Sequence, residues 1–156
     1  MTGQPKATSR RLKVSRDGLW PEGQGLAGNT VMLGGFGEPG TPFYLIDKLT
    51  AEGPDDLIII KNDANEPCQG VGQLLRAGLV SRMITSHIGL NREMVAAMES
   101  GQVTVEFQPQ GILAEKIRCG GVGISAFLSA IGVGVLDVPG VAGPEAGDQL
   151  QWRGAT

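Results

Sequence analysis

The residues of this sequence best suited to chemistry are the glycines of a loop at positions 34–42, which reads GGFGEPGTP. Glycine exposes backbone N–H groups and allows close approach, and Pro42 suits the first turn of a helix. Amide groups and the positive end of a helix dipole together favour an anionic ligand. The loop matches neither the Rossmann fingerprint nor a Walker A loop. Its spacing alone leaves two interpretations open, an anion-binding cradle or a purely structural turn.

Few other side chains suggest a reaction. His87 is the single histidine, and its position near a predicted strand end invites a general-base role. A metal site would need carboxylate partners that the sequence does not identify. Cys68 and Cys119 lack the spacing of a zinc site or a disulfide framework. We therefore predict no bound metal.

Composition indicates one soluble domain with a hydrophobic core. The chain has 156 residues, of which 41% are hydrophobic and 19% charged. Its net charge of −3 argues against a broad nucleic-acid-binding surface. No apolar run approaches the roughly 20 residues of a membrane helix, and the N-terminus does not read as a secretory signal. We expect a cytoplasmic protein without nucleic-acid or membrane partners.

The chain divides into a basic lead-in and a folded domain. Residues 1–27 carry five of the 13 cationic side chains and several glycines. The segment is interpreted as a flexible N-terminal stretch, with an anion-attracting arm as the alternative. We assign the domain to residues 28–156.

Apolar runs alternate with helical patterns along that domain. Short apolar or β-branched runs predict strands, and caps and breakers bound the helices between them. The predicted strands are 30–33, 56–61, 82–86 and 103–107. The predicted helices begin at Pro42, Gly70, Asn91 and Pro109. For the first helix we predict one apolar face of Tyr44, Leu45 and Leu49, and for the last a stop at Gly120–Gly121.

This alternation predicts a layered α/β fold, with an open, mostly parallel sheet and helices on both faces. The runs 31–33 and 58–60 are continuously apolar, as in strands that are covered on both faces. Ligands of such folds bind beyond the carboxyl ends of the strands. That rule brings the loops 34–41, 62–70, 86–91 and 108–111 to one rim.

The segment GNTVMLGGFGEPGTP, residues 28–42, resembles the signature of the first of the two subunits (the A, or alpha, subunit) in family I CoA-transferases, the acetoacetate and 3-oxoacid type. It departs from that signature at Ala27, where Asp or Asn is usual. The resemblance continues through IIIKNDANEP, GVGQLLRAGLVSRMITSHIGLN, GQVTVEFQPQGILAEKIRCGGVGISAF and IGVGV. Five segments in the family's order and spacing are far more specific than any one of them.

The resemblance implies a CoA-transferase that moves CoA from an acyl-CoA to a short-chain or 3-oxo carboxylic acid. In this family a glutamate of the second subunit (the B, or beta, subunit) holds CoA as a glutamyl thioester in a ping-pong reaction. Its Ser-Glu-Asn-Gly motif is absent from this sequence, and neither Glu38 nor Asp63 is predicted to replace it. The expected partner is therefore the beta subunit of a hetero-oligomer, with the CoA thioester as substrate and no permanently bound cofactor.

The resemblance also suggests which residues shape the site. Gly35, Phe36 and Gly37 would offer N–H donors to a developing oxyanion or hold the backbone near the substrate. Gln110 looks like the family's glutamine beside the active site, and its alternative is a solvated helix start. Asn62 resembles a rim asparagine, with an Asx-turn as the equal alternative.

Five further residues are predicted to line the cleft: Gly34, Gly40, His87, Gly120 and Gly121. The family accepts tyrosine at the position of His87, which favours a structural or substrate-lining histidine. For Gly120 and Gly121, packing between a helix end and the cleft wall is favoured over backbone contact with ligand. Cys119 alternates with alanine in the family and is predicted to be a small buried residue.

The resemblance weakens after residue 135, where the family continues for several tens of residues. A short homologue, a chain completed by another polypeptide and a truncated piece remain open as explanations. Besides the transferase, two functions are retained: a CoA-ester hydrolase of the same fold, and a scaffold or regulatory subunit.

Overall fold

The computed structural model describes residues 27–131 and the backbone of a two-residue strand at 150–151. The predicted N-terminal segment lies outside the described residues, apart from Ala27. The IGVGV segment lies outside them after Ile131. No helix in the described part of the chain is long and apolar enough to cross a membrane.

Four parallel strands alternate with four helices, as the sequence predicts. In chain order the main elements are β1 (Thr30–Met32), α1 (Phe43–Glu52), β2 (Leu57–Ile60), α2 (Val71–Arg76), β3 (Val80–Thr85), α3 (Arg92–Glu99), β4 (Thr104–Phe107) and α4 (Gln110–Val122). The sheet order is β1-β2-β3-β4, with every neighbouring pair parallel. A second, antiparallel pair joins β5 (Leu128–Ser129) to β6 (Leu150–Gln151).

The hydrophobic core lies on one face of the four-stranded sheet. Leu57 and Ile59 of β2 are fully buried there, together with apolar residues of α1, α2 and α3. Ile60 points to the opposite face, because successive side chains of a strand alternate. There it lines a cleft together with Leu113 and Ile117 of α4. The helices therefore cover both faces, and the predicted α/β architecture is confirmed.

Two expectations about burial are wrong. The strand at 30–33 is predicted to be covered on both faces, yet β1 is an edge strand in which Met32 is 53% exposed. In α1, Tyr44 and Leu45 are exposed, and the buried face consists of Ile46 and Leu49. A three-residue apolar pattern identifies the helix without fixing which side of it meets the sheet.

The last helix runs beyond its predicted stop. Gly120 and Gly121 are helical, and α4 ends where Gly123 adopts a left-handed conformation with φ of +77°. A helix usually ends where glycine supplies a positive φ, and the third glycine of the run does so. The predicted stop at Gly120–Gly121 is therefore too early, because neither of those glycines takes up the left-handed conformation.

Asn91 caps α3 as predicted. Its side-chain oxygen accepts hydrogen bonds from the backbone N–H groups of Glu93 and Met94, at 3.1 and 3.0 Å. Its amide also donates to the carbonyl of Ala64, at 3.0 Å. The cap therefore joins the start of α3 to the loop that follows β2.

Candidate functional site

The glycine loop between β1 and α1 folds tightly upon itself. Gly35, Gly37 and Gly40 have positive φ angles of +101°, +58° and +75°. The N–H of Phe36 donates to the carbonyl of Pro39 at 3.0 Å. A Cβ at Gly35 would lie 2.6 Å from the nitrogen of Thr41, so no larger residue fits there. Glycine is required at position 35 by both conformation and space.

A cleft of about 470 Å³ opens at the carboxyl ends of β1 and β2. Its walls are the start of the glycine loop, the end of β2 and one side of α4. The lining residues are Met32, Leu33, Gly34, Gly35, Phe36, Ile60, Lys61, Asn62, Gln110, Leu113, Ala114 and Ile117. Such a wall is mainly apolar with a few amide groups, a common character of small-molecule sites.

Five of the ten predicted site residues meet in this cleft: Gly34, Gly35, Phe36, Asn62 and Gln110. They come from three segments far apart in sequence, joined because the parallel strands present their carboxyl ends together. The predicted rim thus gathers these residues as a surface.

A second, smaller cavity of about 50 Å³ lies beside the first. Gly37 and His87 line it, with Glu38, Asp63 and Asn65 among their neighbours. The loops expected to form one rim thus serve two cavities. The loop after β3 contributes to the smaller one, and Gln110 contributes to the larger.

Three predicted cleft residues line neither cavity. Gly40 packs inside the loop, where a Cβ would lie 3.4 Å from the Cα of Gly35. Gly120 and Gly121 lie in α4 with open space at the Cβ position. Their place within the helix explains why they do not form a wall of the cleft.

The side chain of Asn62 is held in one orientation. Its Oδ1 accepts a hydrogen bond from the Ser86 hydroxyl at 2.8 Å, and its Nδ2 donates to Asp63 at 3.2 Å. The Asn62 carbonyl accepts from the hydroxyls of Thr85 and Ser86, at 2.9 and 2.8 Å. The Nδ2 group has a second N–H, so one donor remains for a molecule in the cleft.

Asp63 is occupied by donors on both of its oxygens. Burial acts to raise its pKa, but the N–H groups of Gly37 and Asn65, the ammonium of Lys61 and the amide of Asn62 together lower the pKa below its ordinary value. The residue is buried, with 6% of its surface exposed. It is therefore a structural anion, which agrees with its exclusion as the nucleophile.

A polar chain that the sequence did not indicate connects β3, β4 and α4. Lys116 donates to the side-chain oxygen of Gln108 at 2.9 Å, and Gln108 donates to Glu106 at 2.7 Å. Glu106 pairs with Arg82 on β3. Burial lowers the pKa of Lys116, and the charge of Glu106 opposes that shift. Gln108 and Lys116 lie eight residues apart, so only the turn into α4 brings them together.

Two further findings concern candidate ligands and thiols. Across residues 27–131, no cluster of His, Cys, Asp and Glu side chains could hold a metal ion. Cys119 is buried, as predicted, and Cys68 is exposed, with both thiols free. The cleft therefore offers amide groups and an apolar wall rather than a cluster of metal-binding side chains.

Comparison with known proteins agrees with this architecture. A family model described as Coenzyme A transferase matches residues 27–149. The alpha subunit of acetate CoA-transferase from Escherichia coli is 45% identical over 109 residues, covering 70% of this chain and 50% of that protein. The A-type subunit of succinyl-CoA:3-ketoacid coenzyme A transferase from Helicobacter pylori is 39% identical over 113 residues, covering 72% and 49%. The chain thus spans about half the length of these curated relatives.

Solved structures share the fold at lower sequence identity. An acyl-CoA transferase from Escherichia coli, in a thioester complex with CoA, aligns with a TM-score of 0.63 and 23% identity over 69% of this chain and 23% of that one. Glutaconate coenzyme A-transferase from Acidaminococcus fermentans gives 0.64 and 17%, over 80% and 47%. The family model, which covers most of the chain, decides the assignment: the chain belongs to the coenzyme A transferase family.

Proposed function

We propose that this chain acts as the alpha subunit of a two-component CoA-transferase. The carrying observation is that Asn62 and Gln110, from different loops, line one cleft with the open start of the glycine loop. Relatives whose names include an alpha or A designation support the division into two components. The substrates proposed are an acyl-CoA and a short-chain or 3-oxo carboxylic acid.

In the proposed reaction, a glutamate on the partner attacks the acyl-CoA, and CoA becomes bound to that glutamate as a thioester. The second carboxylic acid then takes the CoA and releases the glutamate. Each acyl transfer places negative charge on an oxygen. N–H donors fixed before the reaction stabilise that charge without reorganising.

Three groups of this chain are proposed to meet that oxygen or the substrate carboxylate. Asn62 has a spare N–H on an amide whose orientation Ser86 fixes. Gln110 begins α4 at the opposite wall of the cleft. Within the described structure, the N–H groups of Gly34 and Gly35 have no protein acceptor, whereas those of Phe36 and Gly37 bond within the protein.

The proposal is tested by combining the chain with a partner that carries the glutamate motif. Succinyl-CoA or acetyl-CoA serves as donor, with and without an added carboxylic acid, and mass spectrometry locates the trapped glutamyl adduct. We expect acid-dependent turnover and an adduct on the partner. An adduct on this chain would contradict the proposed roles. Turnover without acid would indicate the hydrolase, and partner activity independent of this chain would indicate the scaffold.

Replacing Gln110 tests the contribution of this chain to catalysis. Gln110→Ala is expected to lower kcat about 100-fold, the usual loss for one oxyanion donor. Gln102→Ala is the matched control, because Gln102 is also exposed but precedes β4 at the other end of the sheet. Equal kcat values for the two variants would remove Gln110 from the proposed site.

A further inference from the structure

A buried ion pair lies beneath the glycine loop, between the two cavities. The Nζ of Lys61 is 3.1 Å from Oδ1 of Asp63, with side chains 0% and 9% exposed. Lys61 borders the larger cleft and Asp63 the smaller cavity. Removing two charges from water is costly and adds little net stability. The pair therefore calls for an explanation in what it holds in place.

Both members of the pair contact the polar groups of Gly37. The Gly37 N–H donates to Oδ2 of Asp63 at 2.7 Å. The Gly37 carbonyl accepts from the Thr41 hydroxyl at 2.6 Å, from the Asn65 amide at 2.7 Å and from Lys61 at 3.4 Å. One glycine in an otherwise permissive loop is thus fixed through both its N–H and its carbonyl.

Fixing Gly37 also restricts the residues before it. The Phe36 N–H is held by Pro39, at 3.0 Å, inside the same loop. Gly34 and Gly35 line the larger cleft beside Asn62. A shift of the Gly37 backbone would move this short stretch relative to the cleft, because only two residues separate Gly37 from Gly34.

We propose that Asp63 and Lys61 are positioning residues, which hold the Gly37 backbone so that Gly34 and Gly35 keep facing the cleft of Asn62 and Gln110. They act through the loop and do not contact the substrate. The importance of this geometry for catalysis rests on the proposed function. The holding of the loop itself can be measured without it.

Hydrogen exchange of the Gly37 amide, followed by NMR on the full chain, is the direct test. In Asp63→Asn, the new NH₂ group would face the donors that surround the carboxylate, so the network loses acceptors. We expect the Gly37 amide to exchange about tenfold faster relative to the Ile59 amide in the core, as loss of a charge-assisted bond implies. Glu38→Gln, which removes an exposed carboxylate of the same loop, is the control and should leave the ratio unchanged.

A milder variant covers the case in which Asp63→Asn does not fold. Thr41→Val removes one donor to the Gly37 carbonyl and keeps the ion pair. Here the ratio of Gly37 to Ile59 exchange should rise about fivefold, the effect of one neutral hydrogen bond. An unchanged ratio in Thr41→Val and in any folded Asp63→Asn protein would overturn the inference.

Kinetics with the partner chain separate positioning from general stability. Asp63→Asn should lower kcat about tenfold and change KM for the acyl-CoA less than about twofold, since loop donors act on charge that develops in the transition state. Faster exchange with an unchanged kcat would overturn the positioning role. Inactive wild-type protein would instead contradict the proposed function, and exchange would still decide whether the pair holds the loop.

Discussion

Asn62 and Asp63 are neighbours that serve different cavities. Asn62 lines the larger cleft and Asp63 the smaller cavity. The alternation of β2, in which Ile59 faces the core and Ile60 the cleft, precedes this divergence at the strand end. At this scale, one step along the chain separates a candidate substrate contact from a group that holds the loop.

Gly35 allows a sharp test of the glycine loop. Gly35→Ala should cost about 3 kcal/mol of stability, the upper range of backbone strain, because its Cβ would lie 2.6 Å from both the nitrogen and the hydroxyl oxygen of Thr41. Gly37→Ala should cost about 1 kcal/mol, the penalty for a left-handed residue, since its Cβ would meet nothing within 4 Å. Urea denaturation of both variants measures the difference. Equal costs would mean that the tight packing at Gly35 is not maintained in solution.

Among the elements, α3 shows how a helix start can also organise the rim. Asn91 is fully buried and bonds both to the first turn of α3 and to the carbonyl of Ala64. A polar residue followed by a helical pattern predicts the cap. The second bond depends on the loop after β2 lying against α3, which the local sequence does not specify.

Replacing Asn91 should separate these two functions. Asn91→Ala is expected to lower the free energy of unfolding by about 3 kcal/mol, from loss of a cap together with an unsatisfied buried carbonyl. Asn91→Ser retains a capping oxygen and should lose about half as much. Thermal or urea unfolding provides the measurement. If the two variants were equally destabilised, the cap would contribute little and the link to Ala64 would dominate.

For the molecule as a whole, the two faces of the sheet differ. Residues of α1, α2 and α3 form one continuous core with the inner face of β2 and β3. On the other face, α4 leaves an open cleft, and Met32 and Ile117 are partly exposed beside it. Stability and ligand access are therefore concentrated on opposite sides of one sheet.

Adjacent isoleucines of β2 test this arrangement. Ile59→Ala removes a fully buried side chain and should cost about 4 kcal/mol, within the range for such cavities. Ile60→Ala removes the same atoms from a half-buried position on the cleft and should cost about half as much. The free energies from urea denaturation give the comparison. Similar costs would indicate that the cleft face is as closely packed as the core.

Much of the site follows from local patterns in the amino-acid sequence. The order of strands and helices predicts which loops share the carboxyl end of the sheet, and this places Asn62 and Gln110 near the glycine loop. The division into two cavities depends on side-chain directions at the strand ends. The misplaced stop of α4 shows a similar limit, because Gly120, Gly121 and Gly123 are all compatible with a helix end.

Residue types and their order were sufficient to predict the parallel α/β architecture, the glycine loop between β1 and α1, and the resemblance to coenzyme A transferases. These features depend on local conformation and on the succession of segments. The contacts of Lys61 and Asp63 with Gly37, and the open backbone of Gly34 and Gly35, became evident from the folded chain alone. Hydrogen bonds between distant segments depend on sheet register and strand alternation, which no local stretch of residues specifies.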